Sequence, residues 1–241
     1  MLPSMITTFA LFAGFYSIIA SINGDFTLAA ISIMVAMLWD TLDGRVARLT
    51  DTQSAFGAEY DSLSDLVSFG LAPALLVYEW SLSDLGRMGW LAAFIYLACA
   101  ALRLARFNTQ VGVTDKRYFQ GLPSPASAGV IASMIWLKFW NFEYFYFGVV
   151  SLSYYIGVAI TIFCALLMVS NVRYFSFREF DSTDKASFRF LLLTVLGLIL
   201  LLYKPNIVLF TGFFLYMLSG PLITIFGVYK RRQMKKRGKA S

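Results

Sequence analysis

The sequence predicts an all-α protein, a polytopic membrane bundle of about eight transmembrane helices. Of its 241 residues, 59% are hydrophobic and only 14% are charged, whereas a soluble domain of this length carries about a quarter charged residues. Apolar runs of roughly twenty residues, the length that spans a hydrocarbon core, recur along the whole chain. These observations favour one membrane domain over several soluble ones.

Eight apolar segments follow one another, separated by turns. Gly24 and Pro205 mark two of the turns, because neither residue continues a helix comfortably. The predicted helices cover residues 3–21, 26–48, 55–78, 87–106, 122–140, 150–172, 189–203 and 206–229. We therefore expect residues 1–229 to form a single transmembrane domain and residues 230–241 to form a basic tail.

The basic residues are distributed unequally between the two faces of the predicted bundle. Seventeen of the 20 Lys and Arg residues fall on one face, in the loops at 45–54, 103–121 and 173–189 and in the C-terminal tail. The other three are Arg87, Lys138 and Lys204. Because loops rich in Lys and Arg stay in the cytoplasm, both termini are predicted to be cytoplasmic.

Histidine is absent and cysteine is rare, which excludes several mechanisms. Without histidine, no step can use a histidine nucleophile, base or metal ligand. Cys99 and Cys164 both lie inside apolar runs. They are predicted to be small buried hydrophobic residues rather than a disulfide or a metal-binding pair.

Two polar stripes interrupt the second and third predicted helices at their shared cytoplasmic ends. Residues spaced at i, i+3, i+4, i+7 and i+8 lie on one face of a helix. The stripes comprise Asp40, Asp43, Gly44, Ala47 and Arg48 in one helix and Gly57, Asp61, Ser64, Asp65 and Ser68 in the next. The short link at 49–56 makes these helices antiparallel neighbours, so the stripes are predicted to face each other.

Four carboxylates gathered in this way predict a metal site. Side chains of like charge that lie close together raise one another's pKa, and a divalent cation removes that conflict. Carboxylate oxygens suit Mg²⁺ or Mn²⁺, and two such ions clamp a phosphoryl group in many transferases. The alternative is a set of helix-end carboxylates paired with Arg45, Arg48 and Arg103.

The segment also carries a family signature. It reads Asp-Thr-Leu-Asp-Gly-Arg-Val-Ala-Arg from residue 40, then eight residues, then Gly-Ala-Glu-Tyr-Asp-Ser-Leu-Ser-Asp from residue 57. This resembles the signature of the CDP-alcohol phosphatidyltransferase family at all of its fixed positions. The resemblance implies that family's fold, a homodimer, and transfer of a phosphatidyl group from a CDP-lipid to an alcohol, with CMP as the leaving group.

The resemblance also implies a role for each residue of the signature. Asp40, Asp43 and Asp61 would ligate metal, and Asp65 would both touch metal and act as general base on the alcohol. The predicted CDP-lipid contacts are Gly44, Ala47, Arg48, Ser54 and Gly57. Without histidine, and without cysteine near the motif, direct displacement is favoured over a covalent intermediate.

Further stretches, at 59–73, 103–108 and 119–128, resemble the multi-span phosphatidylserine synthases of bacteria within that family. They imply CDP-diacylglycerol and L-serine as substrates and the bacterial cytoplasmic membrane as location. Pro3-Ser4 departs from the Pro-Asn common in relatives, so no substrate contact is assigned there. Serine carries a carboxylate that needs a cation. The candidate serine contacts are Arg103, Arg106, Asn108, Lys116 and Arg117.

Three other functions compete with this interpretation. The same reaction could use glycerol 3-phosphate or an inositol phosphate, because the basic residues near the fourth helix could hold a phosphorylated acceptor. A cation transporter would use the aspartates as its ion site, but such proteins show internal repeats and broken helices at mid-membrane, and this sequence has no evident repeat. A scaffold protein without catalytic activity would not require small residues at Gly44, Ala47 and Gly57, on the same helix faces as the aspartates.

Overall fold

The computed structural model describes residues 2–50, 54–110, 118–141, 150–175 and 188–237. In these ranges the chain forms eight helices and two short strands. The helices are α1 (Leu2–Ile22), α2 (Phe26–Leu49), α3 (Ala55–Leu85), α4 (Arg87–Gln110), α5 (Ser124–Asn141), α6 (Val150–Val169), α7 (Phe188–Tyr203) and α8 (Pro205–Arg237). The strands are β1 (Tyr118–Gln120) and β2 (Arg173–Phe175).

The predicted polytopic helical bundle is confirmed. In the described part of the chain, five helices are long and apolar enough to cross a membrane, namely α1, α2, α3, α4 and the first part of α8. Shorter apolar stretches lie in α5 and α6. Two predicted turns are also present, since Gly24 adopts a φ of +81° between α1 and α2 and Lys204 separates α7 from α8.

Several helix ends differ from the predicted ones. The third helix continues to Leu85 rather than residue 78, because π-helical and 3₁₀ turns keep the chain helical as far as Gly86. The sixth ends at Val169 rather than residue 172, since the chain then enters β2. The last helix runs on to Arg237, so most of the predicted basic tail is helical.

Helix α3 is irregular along its length. Its α-helical first part, Ala55–Asp65, is followed by two π-helical stretches, Leu66–Leu71 and Tyr78–Leu82, on either side of an α-helical turn. Each π-helical stretch widens the helix locally, and such turns occur frequently at functional sites. The aspartates of α3 therefore lie in regular helix directly before the first irregular stretch.

Helix α1 packs against both α2 and α3 near their polar ends. Ser64 and Ser68 of α3 donate hydrogen bonds to the backbone carbonyls of Thr7 and Ala10, with oxygen–oxygen distances of 3.3 and 3.2 Å. A Cβ on Gly14 would lie 2.7 Å from the Ser68 Cα. Glycine at position 14 therefore permits the close approach of α1 to α3.

The strands pair antiparallel and form a small element that the sequence did not predict. Phe119 lies opposite Tyr174 in the register. We name this pair of strands the strap. Gly121 ends it with a φ of +81°, and a Cβ at that position would overlap the Met168 carbonyl oxygen, so glycine is needed on both grounds. Burial raises the pKa of the Tyr174 hydroxyl, which therefore remains a hydrogen-bond donor.

Candidate active site

Three of the four signature aspartates meet at one end of the bundle. One carboxylate oxygen from each of Asp40, Asp61 and Asp65 lies within 4.8 Å of the other two. Asp40 comes from α2, whereas Asp61 and Asp65 lie one turn apart on α3. Regular helix in both segments is what aligns the three carboxyl groups, as the sequence spacing predicts.

Asp43 is placed differently from the other three aspartates. Its side chain is 5% exposed and bonds to the side chain of Thr7 on α1. Its Oδ2 atom is buried and has no hydrogen-bond partner among the described residues. Asp43 therefore lies on the α1 side of the cluster and keeps one carboxylate oxygen available for a ligand.

Asp65 connects the carboxylate cluster to a half-buried arginine. It lies in hydrogen-bond contact with Asp40 and within electrostatic range of the Arg103 guanidinium on α4. Arg103 donates from Nη1 to the Ser124 hydroxyl at the start of α5, at 2.9 Å. The Arg103 Nε is buried and lacks a hydrogen-bond partner within the described ranges. A cation thus faces the carboxylates from a separate helix.

The residues at this end of the bundle fit a divalent cation. Three carboxylate oxygens, one from each of three aspartates, lie close enough together to coordinate one ion. Asp43 adds a buried carboxylate oxygen that has no hydrogen-bond partner in the described structure. An all-oxygen donor set is the one that Mg²⁺ and Mn²⁺ prefer. The aspartate cluster is therefore able to hold a divalent metal ion.

The predicted CDP-lipid contacts surround the same end of α2 and α3. Ser54 caps α3, because its hydroxyl accepts the Gly57 N–H at 3.0 Å. A Cβ on Gly57 would lie 3.1 Å from that hydroxyl, whereas a Cβ on Gly44 would meet no described atom within 4 Å. Ala47 is half-buried. The backbone of Arg48 lies in α2, and its side chain is outside the described structure.

The predicted serine contacts are not all brought to the aspartates. Arg106 Nη2 bonds to the Gln120 and Asn171 side-chain oxygens at 2.5 and 2.7 Å, so this guanidinium ties α4 to the strap. Asn108 Nδ2 donates to the Ser62 hydroxyl of α3 at 3.0 Å. Two more, Lys116 and Arg117, lie outside the described residues. Arg103 is therefore the predicted serine contact that the structure places beside Asp65.

Sequence reasoning missed two residues of the site. Thr7 lies on α1, in contact with Asp43, and Ser124 holds Arg103 from α5. Both are 4% exposed or less. A small hydroxyl in an apolar helix is a weak signal, because such residues commonly bond to their own helix backbone. Only the three-dimensional arrangement separates these two from the other buried Ser and Thr residues.

Comparison with known proteins identifies the family. The family model described as CDP-alcohol phosphatidyltransferase matches residues 1–169. The chain belongs to this family. As a CDP-alcohol phosphatidyltransferase, it carries the aspartate cluster and Arg103 within the matched region.

Several relatives carry more specific names. A CDP-diacylglycerol–serine O-phosphatidyltransferase of Helicobacter pylori is 33% identical over 228 residues, which cover 95% of this chain and 92% of that protein. A Mycobacterium leprae protein of the same name is 41% identical over 143 residues, 57% of this chain and 47% of its own. An archaetidylserine synthase of Methanothermobacter thermautotrophicus is 35% identical over 175 residues, 72% of this chain and 69% of its own.

Proposed function

We propose that this membrane protein transfers the phosphatidyl group of CDP-diacylglycerol to L-serine, giving phosphatidylserine and CMP. It is a CDP-diacylglycerol–serine O-phosphatidyltransferase. The observation that carries this conclusion is the convergence of Asp40, Asp61 and Asp65 beside Arg103, in a member of the CDP-alcohol phosphatidyltransferase family. Relatives that match along most of the chain carry the same enzyme name.

The four aspartates have different proposed roles. We assign Asp40, Asp43, Asp61 and Asp65 to the binding of divalent cations, two Mg²⁺ or Mn²⁺ ions, which when bound would neutralise the charge of the diphosphate. Asp65 also accepts the proton of the serine hydroxyl. The serine oxygen then forms a bond to the phosphorus that carries diacylglycerol, the diphosphate P–O bond breaks, and CMP leaves with the electron pair.

Arg103 is the residue we assign to the serine carboxylate. Its guanidinium is held by Ser124 through Nη1, while Nε is buried without a hydrogen-bond partner in the described ranges. A guanidinium recognises a carboxylate through paired N–H donors. Serine bound in this way would present its hydroxyl toward Asp65, the neighbour of Arg103 in the cluster.

The other predicted serine contacts receive different roles. Arg106 and Asn108 are engaged by side chains of the strap and of α3, so we assign them to the wall of the serine site rather than to direct binding. Lys116 and Arg117 follow α4 in the sequence. We propose that they attract the anionic substrates at the membrane surface.

The CDP-lipid is proposed to lie along the open side of α2. Gly44, Ala47 and Gly57 present small surfaces there, and Ser54 fixes the start of α3. A nucleotide can approach a helix backbone closely where no side chain intervenes. Arg48 extends the same stripe by one turn, and we assign it to the diphosphate.

We further propose a bacterial inner-membrane location with both termini and the active site facing the cytoplasm, where water-soluble serine meets the lipid. Seventeen of the 20 basic residues fall on that face of the predicted topology. Cysteine-labelling of engineered sites in the tail and at position 204, with a membrane-impermeant reagent, tests the orientation. Light scattering of the detergent complex tests the homodimer that the family resemblance implies.

One assay tests the function. Purified protein in detergent is given CDP-diacylglycerol, Mn²⁺ or Mg²⁺ and one candidate alcohol at a time, and CMP release is followed. We expect release with L-serine, its loss with a chelator, and its recovery when metal is restored. Release with glycerol 3-phosphate or an inositol phosphate but not with serine would contradict the assignment of the acceptor.

A further inference from the structure

Two prolines lie inside helices of the described chain, beyond the first turn. Pro73 lies in α3 and Pro221 in α8. Proline has no N–H, so the carbonyl four residues earlier loses its α-helical donor. For Pro221 this carbonyl belongs to Met217. The Phe69 carbonyl, four residues before Pro73, lies instead in the first π-helical stretch, where the Ala72 N–H bonds to the Val67 carbonyl five residues earlier. Within a bilayer, water does not satisfy such a group, and a carbonyl without a partner is costly.

Each of these carbonyls accepts a hydrogen bond from a tyrosine of another element. The Tyr96 hydroxyl of α4 donates to the Phe69 carbonyl at 3.2 Å. The Tyr174 hydroxyl of the strap donates to the Met217 carbonyl at 2.9 Å. Both tyrosines are 0% exposed. The Tyr174 O–H therefore takes the place of the N–H that Pro221 lacks, and the Tyr96 O–H bonds to a carbonyl of the π-helical stretch.

A glycine near each accepting carbonyl lets the tyrosine's element come close. Gly220 lies three residues after Met217, and a Cβ there would lie 2.7 Å from Cε2 of the Tyr174 ring, which is closer than real carbon atoms approach. Gly70 follows Phe69 directly, and a Cβ there would lie 3.2 Å from Leu97 Cδ1 of α4, one residue after Tyr96. Gly220 is therefore required for the Tyr174 contact, and Gly70 leaves space for α4.

Each of the two bonds is linked to a residue of the candidate active site. Phe69 lies one turn beyond Asp65 on α3, and Tyr96 lies two turns before Arg103 on α4. Met217 follows Tyr216, whose hydroxyl donates to a carbonyl of the strap at 3.1 Å. The rings of Tyr216 and Tyr174 have centroids 5.5 Å apart, and Tyr216 lies within electrostatic range of Arg103.

We propose that Tyr96 and Tyr174 are positioning residues for the transfer reaction. By bonding the Met217 carbonyl, which Pro221 leaves without an N–H, and the Phe69 carbonyl of the π-helical stretch, they fix α8 and α3 relative to Arg103 and thereby hold Asp65 and Arg103 in register. The hydrogen-bond replacement stands on geometry alone. The effect on catalysis rests on the proposed function.

A double-mutant cycle tests the Tyr174 bond because alanine restores the N–H that Pro221 lacks. Tyr174→Phe is measured with Pro221 or with Pro221→Ala, and Tyr96→Phe is measured in the parent protein. Tyr155→Phe, on α6 and 64% exposed, is the matched control. The full chain in detergent is examined for its thermal midpoint and for the kcat and KM of CMP release.

Each tyrosine variant is expected to lower the thermal midpoint by about 2–6 °C in the proline background, because a buried carbonyl loses its partner. In the Pro221→Ala background, Tyr174→Phe should lower the thermal midpoint by less than half as much. The serine KM should rise about tenfold in both tyrosine variants, and for Tyr174→Phe it should return to within about twofold in the Pro221→Ala background, while the KM for CDP-diacylglycerol stays constant. The Tyr155→Phe control should match the parent in every measurement.

Two outcomes would overturn the proposal. If Tyr174→Phe lowers the thermal midpoint by the same amount with Pro221 and with Pro221→Ala, the Tyr174 hydroxyl does not replace the N–H of proline. If the midpoints follow the cycle but the serine KM does not change, the bonds are structural only, because a smaller folded fraction lowers kcat and changes neither KM. Should the parent release CMP with another acceptor instead of serine, the proposed function fails and the same cycles are measured with that acceptor.

Discussion

The two halves of the active site are built in different ways. The carboxylate half comes from α2 and α3, two consecutive helices, and three of its four aspartates converge within 4.8 Å. The basic half is assembled from more distant elements, since Arg103 lies on α4 and is held by Ser124 of α5. Arg106, one turn further along α4, is bonded to the strap instead.

This difference reflects how each half is encoded. Helical spacing alone aligns the aspartates, so their arrangement can be read from a short stretch of sequence. The direction of a guanidinium depends on which acceptors the fold places around it. Two arginines three residues apart on one helix therefore have different partners, and the predictions below separate their roles.

The largest expected effect is at Asp65, the residue proposed as general base. Asp65→Asn should lower the rate of CMP release by about 10²–10⁴-fold, because the amide cannot accept the serine proton. Binding of CDP-diacylglycerol, measured by its protection against thermal unfolding, should be largely retained. Asp25→Asn, at an exposed position before α2, is the control, and an Asp65→Asn variant with parental activity would refute the assignment.

A smaller effect is expected at Arg103. Arg103→Lys keeps the positive charge but removes the paired donors, so kcat/KM for serine should fall by about 10–100-fold. The loss should appear mainly in the serine KM, measured at saturating CDP-diacylglycerol. An unchanged serine KM with a reduced kcat would indicate that Arg103 acts on Asp65 and does not bind the carboxylate of the acceptor.

Thr7 tests whether the carboxylate half extends to α1. Thr7→Val preserves shape but removes the hydroxyl that bonds to Asp43. Partners of metal ligands commonly contribute about 10–100-fold to metal affinity, and we expect the lower end, a tenfold rise in the Mn²⁺ concentration at half-maximal activity. Thr8→Val, next to it and more exposed, is the control. An equal shift in both variants would argue against a specific role for Thr7.

The smallest kinetic effect is expected at Arg106. Arg106→Lys should lower the thermal midpoint by about 2–4 °C, because the bridge to the strap is lost, and should change the serine KM by less than about threefold. Gln120→Ala, which removes one acceptor of the same bridge, should behave alike. A serine KM that rises only in the Arg106 variant would instead make Arg106 a direct contact.

Periodicity and composition predicted most of the fold. Eight helical segments, the turn at Gly24 and the polar stripes of α2 and α3 all follow from local sequence. The strap could not be predicted in this way, because its two short strands lie more than fifty residues apart, with α5 and α6 between them in the chain. The π-helical stretches of α3 also leave no clear local pattern.

The site was predictable to a similar extent. Asp40, Asp61 and Asp65 meet as the spacing indicates, whereas the contribution of α1 was missed. Thr7 reaches Asp43 because α1 packs against both α2 and α3, and the motif alone gives no indication of this third helix. Long-range packing of this kind is set by residues such as Gly14 and Ser68, which do not belong to the motif itself.

The π-helical stretches of α3 have a consequence for rotational phase. Each one accommodates an extra residue, and one residue corresponds to about 100° of rotation in an α-helix. Residues spaced seven apart from Asp65 therefore do not lie on the same face of α3 as Asp65 once the helix has passed Leu71. Insertion or deletion of one residue in a π-helical stretch would rotate one half of α3 relative to the other. The half that carries the aspartates could therefore keep its orientation while the half that is buried among the other helices turns.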